Sequence, residues 1–122
     1  RAMGAAVDVL SPCALGATLN ADTVPNIKAK VVAGAANNQL SEPAVADQIE
    51  RRGIVWAPDF VANAGGVINI GVELDGPYDP ADARSRVLEI GATLESIFAD
   101  ADKRSITAYA AALDRARRLI AA

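Results

Sequence analysis

The fold is decided by residues 53–70, which read Gly53-Ile54-Val55-Trp56-Ala57-Pro58-Asp59-Phe60-Val61-Ala62-Asn63-Ala64-Gly65-Gly66-Val67-Ile68-Asn69-Ile70. The run from Ile54 to Ala57 is short, apolar and ended by Pro58, which is typical of a buried strand. Residues from Val67 are ambiguous by pattern alone. We predict a helix through about Leu74, because a strand followed by a loop and a helix is the usual order in α/β proteins.

Two similar apolar runs precede this stretch, at Val7–Leu10 and Val31–Ala36. Between the second and third runs, Ser41 can cap a helix that ends at Gly53. Successive runs begin about 24 residues apart, which is long enough for crossover connections between parallel strands. The sequence therefore predicts an α/β fold with about three parallel strands. Because the strands are apolar throughout, we expect both faces of the sheet to be buried.

The C-terminal part of the chain has a helical pattern. After a loop at residues 75–80, apolar residues recur at intervals of three and four from Ala81 onward. Thr107 can cap a last helix. This helical pair is expected either to cover the sheet or to form a separate lobe.

Composition excludes several classes of function. The chain has 122 residues and a formal net charge of -3, with no basic stripe, so nucleic acid is not an expected partner. No apolar run approaches the roughly 18 residues that cross a bilayer, so no membrane association is expected. The single cysteine forms no internal disulfide, which favours a reducing compartment, and no signal peptide is evident. We expect a cytoplasmic protein.

Polar residues follow each predicted strand, at Ser11–Cys13, Asn37–Asn38 and Asp59–Asn63. The carboxyl ends of parallel strands share one edge, and ligands bind in the crevice outside it. Asn37 and Asn63 can each donate and accept hydrogen bonds, which suits a carboxamide or a ribose better than a metal. Asparagine is also a common turn residue, so simple turns at the strand ends remain an alternative.

Other candidate groups have structural explanations. Cys13 has no neighbour in sequence that would lower its pKa, so we expect a small buried residue. Asp59 could pair with Glu73 in acid/base catalysis, but a helix cap is the favoured role. The chain contains no histidine, and its lysines are not expected at this edge. No catalytic residue and no metal site is predicted, and the phosphate-binding pattern G-x-G-x-x-G is absent.

The motifs nevertheless resemble a known family. Ser11 to Ala17, Ala33-Gly34-Ala35-Ala36-Asn37-Asn38-Gln39-Leu40 and the stretch from Gly53 to Asn69 stand in the order and spacing found in the Glu/Leu/Phe/Val dehydrogenases. The resemblance covers nearly the whole chain, is best from Val7 to Leu74, and is greatest to the leucine dehydrogenases. It implies that residues 1–122 are a partial NAD-binding domain, the second half of a Rossmann-like parallel sheet with C-terminal helices.

The resemblance also implies a reaction and its site. The expected activity is NAD-dependent oxidative deamination of a branched-chain L-amino acid to a 2-oxo acid and ammonia. It implies contacts to NAD and to the amino acid substrate. By this resemblance, the residues expected to contact NAD are Cys13, Ala14, Ala36, Asn37 and Asn63. Those expected to contact the substrate are Asn63, Val67 and Ile70.

The N-terminal substrate domain of that family, with its catalytic lysines and aspartate, and the glycine-rich loop are absent from these 122 residues. We therefore expect a fragment of a homo-oligomeric enzyme, inactive without the missing N-terminal domain. One alternative is a stand-alone binding or assembly module derived from the same fold. A further alternative, an unrelated small nucleotide-binding protein, would leave three ordered motifs to coincidence.

Overall fold

The computed structural model describes residues 2–122. Its sheet contains three short parallel strands in the order β1-β2-β3, which confirms the predicted α/β class. The strands are β1 (Val9–Leu10), β2 (Val31–Val32) and β3 (Val55–Trp56). The helices are α1 (Ala44–Arg51), α2 (Asp59–Ala62), α3 (Gly65–Asp75), α4 (Pro80–Arg104) and α5 (Ala108–Ala121). Short 3₁₀ turns lie at Ala2–Gly4 and Val24–Asn26.

Each strand is shorter than its apolar run, and the prediction that both faces of the sheet are buried is wrong. Register places Val9, Val31 and Val55 side by side on one face, where Val9 and Val55 are exposed. The opposite face carries Val32 and Trp56, which are buried under α1 and the loop after β1. Apolar content alone cannot distinguish a covered face from an uncovered one.

The structure confirms two of the helix-terminal residues that the sequence predicts. Gly53 adopts a left-handed φ of 66° after α1, as predicted for a glycine stop. The Thr107 side chain accepts a hydrogen bond from the Ala110 amide and caps α5, also as predicted. The prediction for Ser41 is wrong, because α1 begins at Ala44 with Pro43 at its N-cap position and no side-chain cap.

The C-terminal helical pair packs against Trp56 of β3 and against α2, and so is not a separate lobe. Tyr109 of α5 packs against Trp56, with ring centroids 6.3 Å apart, and edge-on against Phe60 at 6.2 Å. A second small core forms between the helices from Ile97, Ala101, Ala111 and Ala112. These contacts fix α2 and the start of α3 relative to the sheet.

The loops that follow β1 and β2 pack directly on one another. The Ala36 amide donates a hydrogen bond of 2.9 Å to the Pro12 carbonyl oxygen. A Cβ at Gly34 would overlap that carbonyl oxygen and lie 2.6 Å from the Pro12 nitrogen. Glycine is therefore required at position 34 for the two loops to meet.

We predict that Gly34→Ala destabilises the protein by about 3 kcal/mol, because both clashing groups are backbone atoms. The matched control is Gly91→Ala in α4, where an added Cβ meets no atom of residues 2–122 within 4 Å. Alanine there should stabilise by about 0.5–1 kcal/mol through helix propensity. Chemical denaturation measures both, and equal effects of the two substitutions would contradict this account.

Candidate functional site

A buried amide organises the carboxyl edge of the sheet. Gln39 is fully buried, and its side-chain nitrogen donates to the carbonyl oxygens of Gly34 at 2.9 Å and Ala36 at 3.0 Å. Its side-chain oxygen accepts a hydrogen bond of 3.1 Å from the Trp56 indole nitrogen. The Gln39 side chain therefore links two carbonyl groups of the loop after β2 to each other and to Trp56 of β3.

Asp59 extends this network to the next helix. Its carboxylate accepts 2.7 Å and 2.9 Å hydrogen bonds from the backbone amides of Gln39 and Phe60. The side chain is buried, and the negative charge lies at the N-terminus of α2, where the helix dipole favours it. The predicted N-cap role is wrong, since Pro58 occupies that position. Asp59 instead joins the β2 loop to α2.

The network places Asn37 and Asn63 in contact. The Asn63 side-chain nitrogen donates to the Asn37 side-chain oxygen at 2.5 Å, and lies 3.4 Å from the carbonyl oxygens of Ala35 and Ala36. Turn roles for asparagine are present as well. Asn63 directly follows the last residue of α2, and Asn38 adopts a left-handed φ of 51°. Asn38, rather than Asn37, supplies the turn after β2.

This pair leaves hydrogen-bonding capacity on its open side. Within residues 2–122 the side-chain nitrogen of Asn37 and the side-chain oxygen of Asn63 have no hydrogen-bond partner. Together they offer two N–H donors and one acceptor. A primary carboxamide has the complementary groups, so the pair is suited to bind one.

An open cleft of about 410 Å³ adjoins the pair. It is lined by Asn37, Asn38, Asp59, Phe60, Asn63, Ala64 and Val67. Val67, predicted to contact substrate, therefore lies in the same cleft as both asparagines. Ile70 does not line it, and lies one turn further along the exposed face of α3.

Cys13 differs from its prediction in two respects. The thiol is exposed rather than buried. Its pKa is lowered by a hydrogen bond from the Ala35 backbone and by the Ser11 hydroxyl, whose oxygen lies 3.2 Å from the sulfur. The effect of Ala35 could not be recognised from sequence, because Ala35 meets Cys13 only when the loops after β1 and β2 pack together. Cys13 thus lies at the same edge as Ala36 and Asn37.

The sequence prediction missed Gln39 and did not assign a role to the Trp56 N–H group. One signal was available: a buried indole N–H requires an acceptor, and Gln39 is a polar residue three positions after the end of an apolar run. Among residues 2–122 the structure shows no group of three or more residues suited to hold a metal ion. Within the same range no helix is both long enough and apolar enough to span a membrane.

Comparison with known proteins identifies clear relatives. A family model described as Glutamate/Leucine/Phenylalanine/Valine dehydrogenase matches residues 1–115. Leucine dehydrogenase of Bacillus subtilis is 51% identical over 105 residues, which are 86% of this chain and 29% of that enzyme. Valine dehydrogenase of Streptomyces coelicolor is 49% identical over 106 residues, 87% of this chain and 29% of that enzyme.

A solved structure agrees with these matches. The crystal structure of L-tryptophan dehydrogenase from Nostoc punctiforme superposes with a TM-score of 0.90 at 41% identity. The superposition covers 95% of this chain and 35% of that protein. This chain therefore spans about a third or less of the length of the relatives it matches.

We predict that Gln39→Leu destabilises the protein by about 2–4 kcal/mol, because it leaves the Trp56 N–H and the Gly34 carbonyl oxygen without their hydrogen-bond partner. Gln48→Leu, at a half-buried position on α1, should change stability by less than about 1 kcal/mol.

A double-mutant cycle with Trp56→Phe tests the coupling. Once the indole N–H is removed, the Gln39 substitution should cost measurably less than it does alone. Strictly additive effects in urea denaturation would show that the two side chains do not act as a unit.

Proposed function

This chain belongs to the glutamate/leucine/phenylalanine/valine dehydrogenase family, and we propose that it provides the second half of the NAD-binding domain of a branched-chain L-amino acid dehydrogenase. The reaction is oxidative deamination of the amino acid to a 2-oxo acid and ammonia. We propose that a longer cytoplasmic, homo-oligomeric protein supplies the glycine-rich loop and the N-terminal substrate domain.

The observation that carries the proposal is the contact between Asn37 and Asn63. Their unpaired donor and acceptor groups fit the carboxamide of a nicotinamide, and the cleft beside them is open to a ligand. When bound, NAD supplies the hydride acceptor. Asn37 and Asn63 orient the reacting groups and transfer no proton. Cys13, Ala14 and Ala36 lie on the adjoining loops, where they would border the cofactor.

The cleft favours an aliphatic substrate. Val67 lines it, and the described lining contains no lysine or arginine that could meet a side-chain carboxylate. Ile70 follows on the same helix face and would extend the apolar wall. Such a wall distinguishes one methylene group by only about 1–3 kcal/mol, so leucine, isoleucine and valine should all be accepted.

Proton transfer is assigned to the part of the protein outside this chain. Lys28 and Lys30 precede β2, at the opposite end from the cleft, and Lys103 lies in the last turn of α4. The sequence has no histidine and no G-x-G-x-x-G motif. The isolated chain should therefore neither catalyse the reaction nor bind NAD tightly.

We predict that Asn63→Ala, in the longer protein that contains this sequence, lowers kcat/KM by about 100-fold for both amino acid and NAD, because misplaced reactants lose about that much rate. Asn26→Ala, in the 3₁₀ turn before β2, is the matched control and should leave kcat/KM within about twofold. Steady-state NADH formation measures both. Unchanged kinetics in Asn63→Ala would remove Asn63 from the site.

We also predict that Val67→Ala enlarges the pocket and shifts preference towards bulkier amino acids by about tenfold in relative kcat/KM. The comparison uses leucine, valine and phenylalanine at saturating NAD. An unaltered substrate profile, with normal stability, would exclude Val67 from the pocket wall.

A further inference from the structure

A second groove, here called the helical groove, lies between the C-terminal helical pair and helices α2 and α3. Its volume is about 430 Å³, and it adjoins a smaller cavity of about 160 Å³ between α4 and α5, with Ile97 and Arg115 lining both. Small-molecule sites are typically apolar clefts of roughly 300–1,000 Å³ with a few polar groups. The lining of the helical groove is mainly apolar and includes Val61, Ile68, Ile90, Ile97 and Leu119.

The α4 and α5 side chains at one end of the groove carry more arginines than carboxylates. Asp100 and Asp114 both bind Arg104, at 2.9 Å and 2.6 Å. Arg117 lies 3.8 Å from Asp114, and Arg118 lies 3.9 Å from Asp100. Three guanidinium groups therefore share two carboxylates, and the charge of Asp100, which also lines the smaller cavity, is compensated.

Arg115 adds a further positive charge that no acidic group of residues 2–122 compensates. Its guanidinium lies 3.4 Å from the Ser96 hydroxyl oxygen and has no carboxylate within 4 Å. An arginine can stabilise the C-terminus of its helix, but that effect is confined to the last turn, and Arg115 lies more than a turn before Ala121. An arginine fork matches the two oxygens of a carboxylate. Arg115 is therefore suited to bind an anionic ligand.

The dimensions of the groove indicate the size and direction of such a ligand. Along α4 the groove extends from Ile90 to Ile97, about 10 Å at the helical rise of about 1.5 Å per residue. An extended chain covers roughly 1.2 Å per single bond, so an aliphatic chain of about eight carbons fills this length. Glu89 lines the far end and would repel an anion there. The carboxylate is thus directed towards Arg115 and the tail towards Ile90.

We propose that the helical groove binds a medium-chain aliphatic monocarboxylate, with Arg115 and Ser96 holding the carboxylate. The groove is separate from the cleft beside Asn37 and Asn63, although Phe60 and Ala64 line both. The proposal does not depend on the proposed function, because it uses none of the hydrogen-bonding groups of the asparagine pair.

The test is isothermal titration calorimetry of the longer protein that contains this sequence, with octanoate as the probe. We expect one octanoate to bind per chain with a Kd of about 1 mM, a usual affinity for a ligand of this size. Octanamide has the same tail without the charge, and acetate has the charge without the tail. Each should bind at least tenfold more weakly than octanoate.

Two substitutions test the two ends of the groove separately. Arg115→Gln should weaken octanoate binding at least tenfold and leave octanamide binding within twofold, because only the carboxylate uses the charge. Ala116→Leu fills the half-buried wall of the groove and should also weaken octanoate at least tenfold, without any change of charge. The matched control is Arg84→Gln, an exposed arginine of α4 that lines neither cavity, which should change nothing.

Four results would overturn the proposal. Octanoate that shows no saturable binding below about 10 mM excludes the site. Arg115→Gln that behaves like Arg84→Gln removes the carboxylate contact. Displacement of octanoate by NAD or leucine places it in the cleft, and displacement by an equal concentration of inorganic phosphate assigns the arginines to a phosphate group. Calorimetry needs no turnover, so an inactive protein that binds octanoate refutes the proposed function and leaves this site standing.

Discussion

The buried side chain of Gln39 holds together the part of the molecule on which the candidate site depends. It satisfies two carbonyl groups of the loop after β2 and the indole N–H of β3, while its backbone amide binds Asp59 at the start of α2. The bonds to Ala36, Trp56 and Asp59 are buried, where an unpaired partner would cost about 1–3 kcal/mol. The network therefore fixes the loop, the strand and the helix together, and in doing so brings Asn37 to Asn63.

The protein is well packed on one side of its sheet and open on the other. Val32 and Trp56 are buried under α1 and the loop after β1, whereas Val9 and Val55 on the other face are exposed. Parallel sheets usually carry helices on both faces. The exposed valines agree with a chain that spans about a third of the length of its relatives.

Sequence periodicity predicted the α/β class, the parallel strands and the positions of α3, α4 and α5. It could not predict which sheet face is covered, because apolar strands look alike whether or not a partner lies over them. It also missed long-range polar contacts. Gln39 and Asp59 acquire their roles only when segments twenty residues apart meet, and the Cys13 pKa depends on an Ala35 amide brought close by loop packing. The two asparagines were identified correctly as neighbours because strand ends share an edge; their roles as ligands remain a prediction.

The central claim is that the Asn37–Asn63 pair receives the nicotinamide carboxamide. The most direct measurement is a crystal structure of the longer protein with NAD bound. The account predicts that the carboxamide lies within hydrogen-bond distance, about 3 Å, of the Asn37 or Asn63 side chain, with Val67 facing the adjoining substrate space. A nicotinamide ring bound away from both asparagines would contradict it.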